Sequence, residues 1–397
     1  LTGLFPPLPE ETRLFIQRLP RIIDEAFPLP GRFRAALPAS VAELSRLLTS
    51  ERKERGASYL GKPALLSAYL RYFLPWNIYR LSRLLSFLPL ELKPHDAVND
   101  LGTGPLTLAA SLWISRPELR GIPLEFRCMD KTPAVLEAGK KFFAALSANT
   151  IGGCAWSVRC IRGEIKSKGG LSVEIKGKSA ALSAAVNIYN ELFWGFSPMD
   201  RGGLGRFVEG QARLLSSLTE NAGSILVVEP GIPRSGEFIS LLRSALAKEG
   251  CVPLSPCTHP CACALPGGRK AGAGVKARWC HFAFGTEDAP EELHRLSAAS
   301  KLPKERAVLS FILAGTASAE CRTIPKGPAK IRVISDPFPV GGEWGRYGCC
   351  AQGLVLVTGS RKIMGRMPSG ALEEIALDGR LDAKSGALLA AKGGAGN

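Results

Sequence analysis

Ala97-Val98-Asn99-Asp100-Leu101-Gly102-Thr103-Gly104 is the stretch on which the fold turns. Five residues, Ala97 to Leu101, have the length and apolar content of a buried strand, and the glycines after them make a tight turn into an apolar helical stretch, Thr107 to Ser115. The same rhythm continues outward. Leu124 to Met129 has strand character and Pro133 to Ala145 helical spacing. Ala181 to Tyr189 and Ser224 to Glu229 are further buried strands, and Gly236 to Lys248 a helix with Ile239, Leu242 and Leu246 on one side. Short apolar strands alternating with helices are the signature of a parallel α/β sheet.

Upstream, Pro9 to Leu90 is helical in pattern, with Leu14, Phe15, Ile16, Leu19, Ile22 and Ile23 and then Leu65, Leu66, Tyr69, Leu70 and Phe73 at helical spacing. Downstream, Ala307 to Ala314 reads as one more strand, and Ile331 to Ile334 and Leu354 to Thr358 as a small β-rich appendage. These divisions predict a helical region over residues 1–94, an α/β domain over 95–318 with a cysteine-rich segment at 251–281, the appendage over 319–380, and an unstructured Ala/Gly-rich tail over 381–397.

The chain has 397 residues, 46% of them hydrophobic, which is material for a large core and excludes a disordered tail protein or a single small stapled domain. Its apolar runs fall short of the roughly 18 to 20 residues that span a bilayer. The opening residues, Leu1 to Glu11, lack the basic and apolar regions of a secretory signal, so a cytoplasmic protein without membrane segments is expected. Lys and Arg exceed Asp and Glu by 51 to 35, a net charge of +16, which favours an anionic partner, nucleic acid before membrane. Arg71, Arg80 and Arg83 in the helical region, and Arg269, Lys270, Lys276 and Arg278 in a Gly-rich loop, are the expected phosphate contacts, unless they only solvate the surface.

Three constellations carry chemistry. At the carboxyl edge of the first strand, Asp100, Gly102 and Gly104 let a ligand approach the backbone. Asp130 ends the second strand, where a carboxylate can bind a ribose diol. Together they suggest a nucleoside cofactor, against the plainer reading of glycines in an ordinary turn. Asn190-Glu191-Leu192 follows a later strand, where Asn190 either faces the cofactor or caps a helix. Third, Cys251, Cys257, Cys261, Cys263 and Cys280 crowd into 30 positions of a chain with 11 cysteines. Such clustering favours zinc or iron-sulfur ligation over a disulfide framework, and the spacing alone does not choose the metal. Buried inert thiols, or Cys257 as a nucleophile on a pyrimidine base, are the alternatives.

Val228-Glu229-Pro230-Gly231, the Gly236 helix with Arg243, Pro256-Cys257-x-His259, Cys263, Trp279-Cys280-His281-Phe282 and Cys349-x3-Gly353 followed by Val357-Thr358 and Ser360 resemble the small-ribosomal-subunit-associated methyltransferase-like family. The likeness extends from Tyr59 to about position 362. It implies a Rossmann-like class I methyltransferase fold that binds S-adenosylmethionine through Asp100, Gly102, Gly104, Asp130 and Asn190. It also implies a four-iron four-sulfur cluster on Cys257, Cys263, Cys280 and Cys349, with Cys350 and Cys261 as competing ligands and zinc as the alternative metal. The expected partner is small-subunit rRNA or the pre-ribosome, and the expected role is rRNA methyl transfer or non-catalytic assembly. Two departures weigh towards the second role: Pro105-Leu106 stands where a third glycine is common, and Asn190-Glu191-Leu192-Phe193 lacks the prolines of amino-methylating enzymes.

Overall fold

A computed structural model of the chain describes residues 3–51, 59–150, 152–175, 177, 179–196, 200–265, 278–316 and 327–391. The helical region comprises α1 (Glu10–Ala26), α2 (Gly31–Leu48), α3 (Pro63–Ala68) and α4 (Leu74–Leu85), the last two joined by a π-helical turn at Tyr69–Phe73. In α1 the spacing of Phe15, Ile16, Leu19, Ile22 and Ile23 makes one apolar stripe, and all five are buried.

The α/β part then runs β1 (Ala97–Leu101), α5 (Thr107–Ser115), β2 (Glu125–Asp130), α6 (Pro133–Ala148), β3 (Ser157–Arg162), β4 (Ala180–Val186), α7 (Tyr189–Leu192), α8 (Arg201–Ser217), β5 (Thr219–Pro230), α9 (Pro233–Lys248), β6 (Val252–Ser255), β7 (Phe282–Gly285), α10 (Glu291–Ala299) and β8 (Arg306–Gly315). Its sheet has the order β3-β2-β1-β4-β5-β8-β6. β1 to β5 pair in parallel, and β8 runs antiparallel to β5. The far edge of β8 is covered by β6 at one end and β7 at the other, both antiparallel to it. The edge strand is therefore broken in two, and the cysteine-rich segment leaves the sheet at the break.

One core underlies α5, α6 and the helical region together: Leu74, Ile78 and Leu81 of α4 pack in the same apolar cluster as Leu108, Leu112 and Trp113 of α5. Trp76 Nε1 of α4 donates to Ser297 Oγ of α10 at 3.2 Å, and Tyr72 Oη of the π turn to the Leu302 carbonyl just beyond α10 at 3.0 Å. A second core lies under α8 and α9 on the opposite face.

The appendage is a sheet of β9 (Ala329–Val333), β10 (Phe338–Val340), β11 (Glu343–Cys350), β12 (Gly353–Gly359), β13 (Leu372–Ile375) and β14 (Leu388–Ala391), with α11 (Arg361–Gly365) after β12. Of the tail expected to be unstructured, residues 381–391 belong to this sheet, and residues 392–397 lie outside the described residues. β14 pairs in parallel with β12 from Val355↔Leu388 to Thr358↔Ala391, because Leu388 and Ala390 join the apolar cluster of this sheet. Among the described residues no helix is long and apolar enough to cross a membrane.

Candidate functional site

The order of β1 to β4 places a topological switch between β1 and β4, and a pocket opens there at the carboxyl ends of the strands. Gly102, Thr103 and Gly104 line it from the turn after β1, Asp130 and Thr132 from the end of β2, Glu164 from beyond β3, and Asn187, Ile188 and Glu191 from beyond β4. Tyr59, Leu60 and Tyr69 cover it from the helical region. Gly102 and Gly104 have φ of +73° and +55°, a left-handed conformation that side chains resist. The Asp130 carboxylate accepts from the amides of Gly104 at 3.1 Å and Thr132 at 2.8 Å, which fixes it at the pocket wall. Burial pushes its pKa up while those amides hold it down.

Leu106 does not block this turn. It takes the left-handed conformation at the start of α5 (φ +57°) and buries its side chain against Gly139, where a Cβ would come within 2.8 Å of Leu106 Cγ. Gly139 thus makes the room that a leucine at this position needs.

Two of the expected cofactor residues stand behind the pocket rather than in it. Asp100 is fully buried; the turn begins two residues later, so its backbone neighbours face the pocket while its carboxylate accepts from Thr103 Oγ1 at 2.5 Å. Asn190 lies in the first turn of α7, pointed inward, with Nδ2 donating to the Asn187 carbonyl at 2.8 Å. Their place at the rim is taken by Asn187 and Glu191. Glu229, at the end of β5, accepts from the amides of Tyr189 at 2.8 Å and Asn190 at 3.1 Å, and so braces the segment after β4.

Burial raises the pKa of Asp100 to about 7, against the hydrogen bond from Thr103 and with a further push from Asp130. Burial raises Glu229 to about 7 as well, opposed by its hydrogen bonds and by Arg80. A carboxyl raised on folding keeps its proton in the folded state over a range in which the unfolded chain has lost it. Folded protein then binds the more protons, and stability falls as pH rises from about 4 to about 7 and is level above. Urea unfolding between pH 5 and pH 8 is expected to show this decline, and Asp100→Asn to flatten it; an equal slope in the variant removes Asp100 as its source.

Arg71, Arg80 and Arg83 are engaged inside the protein instead of standing free for phosphate. Arg80 is enclosed, its guanidinium donating to Asn187 Oδ1 at 2.7 Å, Asn77 Oδ1 at 3.1 Å and the Val308 carbonyl at 3.2 Å. Burial lowers its pKa to about 10, with Glu229 acting the other way. Arg71 is buried and pairs with Asp24 at 3.1 Å; Arg83 pairs with Asp288 at 2.8 Å. Each charge answers a group distant in sequence, so helical periodicity alone could not separate it from a solvated one. Tyr69 and Asn187 were missed for the same reason, although a π turn at Tyr69 is a frequent mark of a functional position. Arg278 lies over the Tyr347 ring, 4.2 Å from its centroid, and ties the segment to β11, while Arg269, Lys270 and Lys276 fall outside the described residues.

A second cavity lies where the broken edge of the main sheet meets the appendage. Cys257, Cys263, Cys280 and Cys349 all line it, with Arg243, His259 and Arg332. Cys349 and Cys350 are neighbours on β11 and face opposite ways. Cys349 turns to the cavity, whereas Cys350 is buried in the appendage core with Sγ 3.1 Å from Gln352 Oε1. Cys261 is disulfide-bonded and so does not offer a thiolate. Arg243 Nε donates to Cys257 Sγ at 3.1 Å, and its Nη2 donates to the carbonyls of His259 at 3.1 Å and Cys261 at 2.6 Å, holding the loop. The Leu265 amide donates to Cys263 Sγ at 3.4 Å. Burial raises the thiol pKa values of Cys257, Cys280 and Cys349, and the other thiols of the group raise them further. Among the described residues no group of three or more His, Cys, Asp or Glu is arranged to hold a metal ion.

The strand order, the lone antiparallel strand β8 and the pocket at the switch point define a class I methyltransferase fold. Residues 207–344, about a third of the chain, match the family model described as mitochondrial small ribosomal subunit Rsm22. The match takes in Cys257, Cys263 and Cys280 and ends before Cys349. Among solved structures, the geranyl diphosphate C-methyltransferase of Streptomyces coelicolor A3(2) is similar at 11% identity and TM-score 0.33, over 60% of this chain and 79% of that one. Precorrin-6y C5,15-methyltransferase of Geobacter metallireducens is similar at 11% identity and TM-score 0.31, over 61% of this chain and 87% of that one. No curated protein matches the sequence.

Proposed function

We propose that this protein binds S-adenosylmethionine in the switch-point pocket and an iron-sulfur cluster in the cysteine cavity, and that it acts on small-subunit rRNA during ribosome assembly in the cytoplasm. The observation that carries the first part is the pocket itself, with two left-handed glycines and a fixed, half-enclosed carboxylate, Asp130, at the end of β2. These fit a nucleoside: Asp130 would hold the ribose hydroxyls, and the Gly102–Gly104 backbone would lie against the remainder. When bound, S-adenosylmethionine supplies an electrophilic methyl group; the chain's own part is to orient it and to close over it with Tyr59 and Tyr69.

Asp130→Ala is expected to weaken S-adenosylmethionine binding by about 1 to 3 kcal/mol through loss of a charge-assisted hydrogen bond, read by isothermal titration. Unchanged affinity would place the ribose elsewhere.

The cysteine cavity fits a polynuclear cluster better than zinc. Four thiols and one imidazole, His259, line it, and two of the sulfurs already accept N–H hydrogen bonds, as cluster sulfurs commonly do. Arg243 and Arg332 would offset the negative charge of thiolates. Assignment to the small subunit rests on the family description and on the net charge of +16.

A non-catalytic assembly factor is the second reading. It is favoured by the inward turn of Asn190, which leaves Asn187 and Glu191 as the polar groups beyond β4 at the pocket. Methyl transfer from labelled S-adenosylmethionine to immature small subunits separates the two: incorporation that disappears in Asp130→Ala supports the enzyme, and cofactor binding without incorporation supports the assembly factor.

A further inference from the structure

We propose that Arg80, reaching from α4 to the segment after β4, fixes the Asn187 side chain so that its amide N–H group faces the cofactor pocket and donates to the carboxylate at the methionine end of the cofactor. The inference rests on the reading of this pocket as a site for S-adenosylmethionine and names the residues that tell its two ends apart.

Asn187 follows β4 directly in the left-handed conformation, φ +57°, and its backbone is engaged on both sides. Its amide donates to the Val228 carbonyl at 2.8 Å, and its carbonyl accepts from Asn190 Nδ2 at 2.8 Å. What remains is the orientation of the side-chain amide, and Arg80 settles it. A guanidinium has donors only, so the atom 2.7 Å from Arg80 Nη2 has to be Oδ1. Nδ2 is then the group left over, without a partner among the described residues, on a residue that lines the pocket. Arg80 is itself held: Nη2 also donates to Asn77 Oδ1 at 3.1 Å, and Nη1 to the Val308 carbonyl at 3.2 Å. Burial lowers its pKa only to about 10, so a positive charge stands behind Asn187 at neutral pH.

The pocket walls differ along the sheet. Toward β3, Val135 and Ile165 offer apolar surface to a flat base, beside the Glu164 carboxylate, and Asp130 stands next to them at the place for ribose hydroxyls. The methionine end then falls on the β4 side, past the Gly102 turn, where Asn187 stands. With base and ribose placed, the strong hydrogen-bond acceptor that the cofactor still carries is its carboxylate. An N–H donor backed by a fixed cation complements that group, whereas an amide turned the other way would set Oδ1 against it.

The test is isothermal titration with S-adenosylmethionine and with 5′-methylthioadenosine, which keeps the adenosine and lacks the amino acid. Asn187→Asp keeps the size of the side chain and the acceptor for Arg80, and replaces the pocket-facing donor by a carboxylate oxygen. It is expected to weaken S-adenosylmethionine binding by between about ten- and 150-fold, the range for a hydrogen bond to a charged group, and to leave 5′-methylthioadenosine as in the wild type. Arg80→Met frees the amide to rotate and is expected to show the same selective loss, with no further loss when added to Asn187→Ala. An Arg80 that only supports the fold would weaken both ligands, and in either background. Thermal melting verifies the fold of each variant; should Arg80→Met not fold, Asn187→Asp decides alone, because its carboxylate keeps an ion pair with Arg80. Asn187→Asp that binds S-adenosylmethionine as the wild type does, or that loses both ligands equally, overturns the assignment. Failure of the underlying reading looks different: a wild type that binds neither ligand has no nucleoside pocket, and the assignment falls with it, whereas one that binds both and is matched by Asn187→Asp keeps the pocket and loses only the carboxylate contact.

Discussion

With the proposed cluster bound, Cys280→Ser is expected to lose it and to lower the melting temperature of the anaerobically purified protein by on the order of 10 °C. Cys280 leads into β7, Cys257 and Cys263 follow β6, and Cys349 belongs to β11 of the other sheet. A group bound by all four joins the two halves of the broken edge strand to the appendage. Binding to a site that exists only in the folded state is itself folding free energy, so each ligand lost weakens that junction. Direct hydrogen bonds already cross it: Arg332 Nε donates to the Pro256 carbonyl at 3.0 Å, and Thr258 Oγ1 to the Lys330 carbonyl at 3.2 Å. They are part of the apo protein too, so stripping the metal from the wild type is expected to lower its melting temperature to that of the variant. Wild-type protein as isolated should contain iron and acid-labile sulfide, and the variant neither. Zinc without sulfide, or a variant that melts with the wild type, removes the cluster from the account.

What the sequence revealed follows from how local each signal is. β1 and the Gly102 turn were plain, because a short apolar strand followed by glycines needs no distant partner to be recognised. β3, by contrast, is an edge strand of half-exposed residues, Ser157–Arg162, without a continuous apolar run, and α8 hides its helical spacing behind Gly202, Gly203, Gly205 and Gly210. Spacing brought Asp100 and Asp130 to the same sheet edge, but only the packed structure shows one carboxylate turned inward to Thr103 and the other set in the pocket wall. The choice between Cys349 and Cys350 likewise depends on which face of β11 looks toward the main sheet. Net charge does not distinguish a cation that meets solvent from one that meets Asp24, Asn187 or Asp288, as Arg71, Arg80 and Arg83 do.

Gly102→Ala is expected to destabilise the protein by about 2 to 5 kcal/mol and to abolish cofactor binding. Part of this cost is backbone: at φ +73° a Cβ carries roughly 1 to 2 kcal/mol of strain. The rest is contact. A Cβ at Gly102 would lie 2.6 Å from Ile188 Cγ1 and 2.7 Å from Ile188 Cβ, and forced overpacking of this kind costs about 1 to 3 kcal/mol. Ile188 follows β4 and lines the pocket, so either the glycine turn or the Ile188 segment must move, and both are walls of the site. Gly153 provides the control, since it has the same φ of +73° and no atom within 4 Å of a Cβ. Gly153→Ala therefore meets only the backbone strain, and the difference between the two variants in urea unfolding measures the contact with Ile188. In the double variant Gly102→Ala, Ile188→Ala, the atoms Cγ1 and Cδ1 are gone but Cβ remains, so stability and S-adenosylmethionine affinity should return in part. Gly102→Ala that costs no more than Gly153→Ala and still binds the cofactor would show that the turn is not clamped against the β4 segment, and the pocket walls would then have to be sought elsewhere.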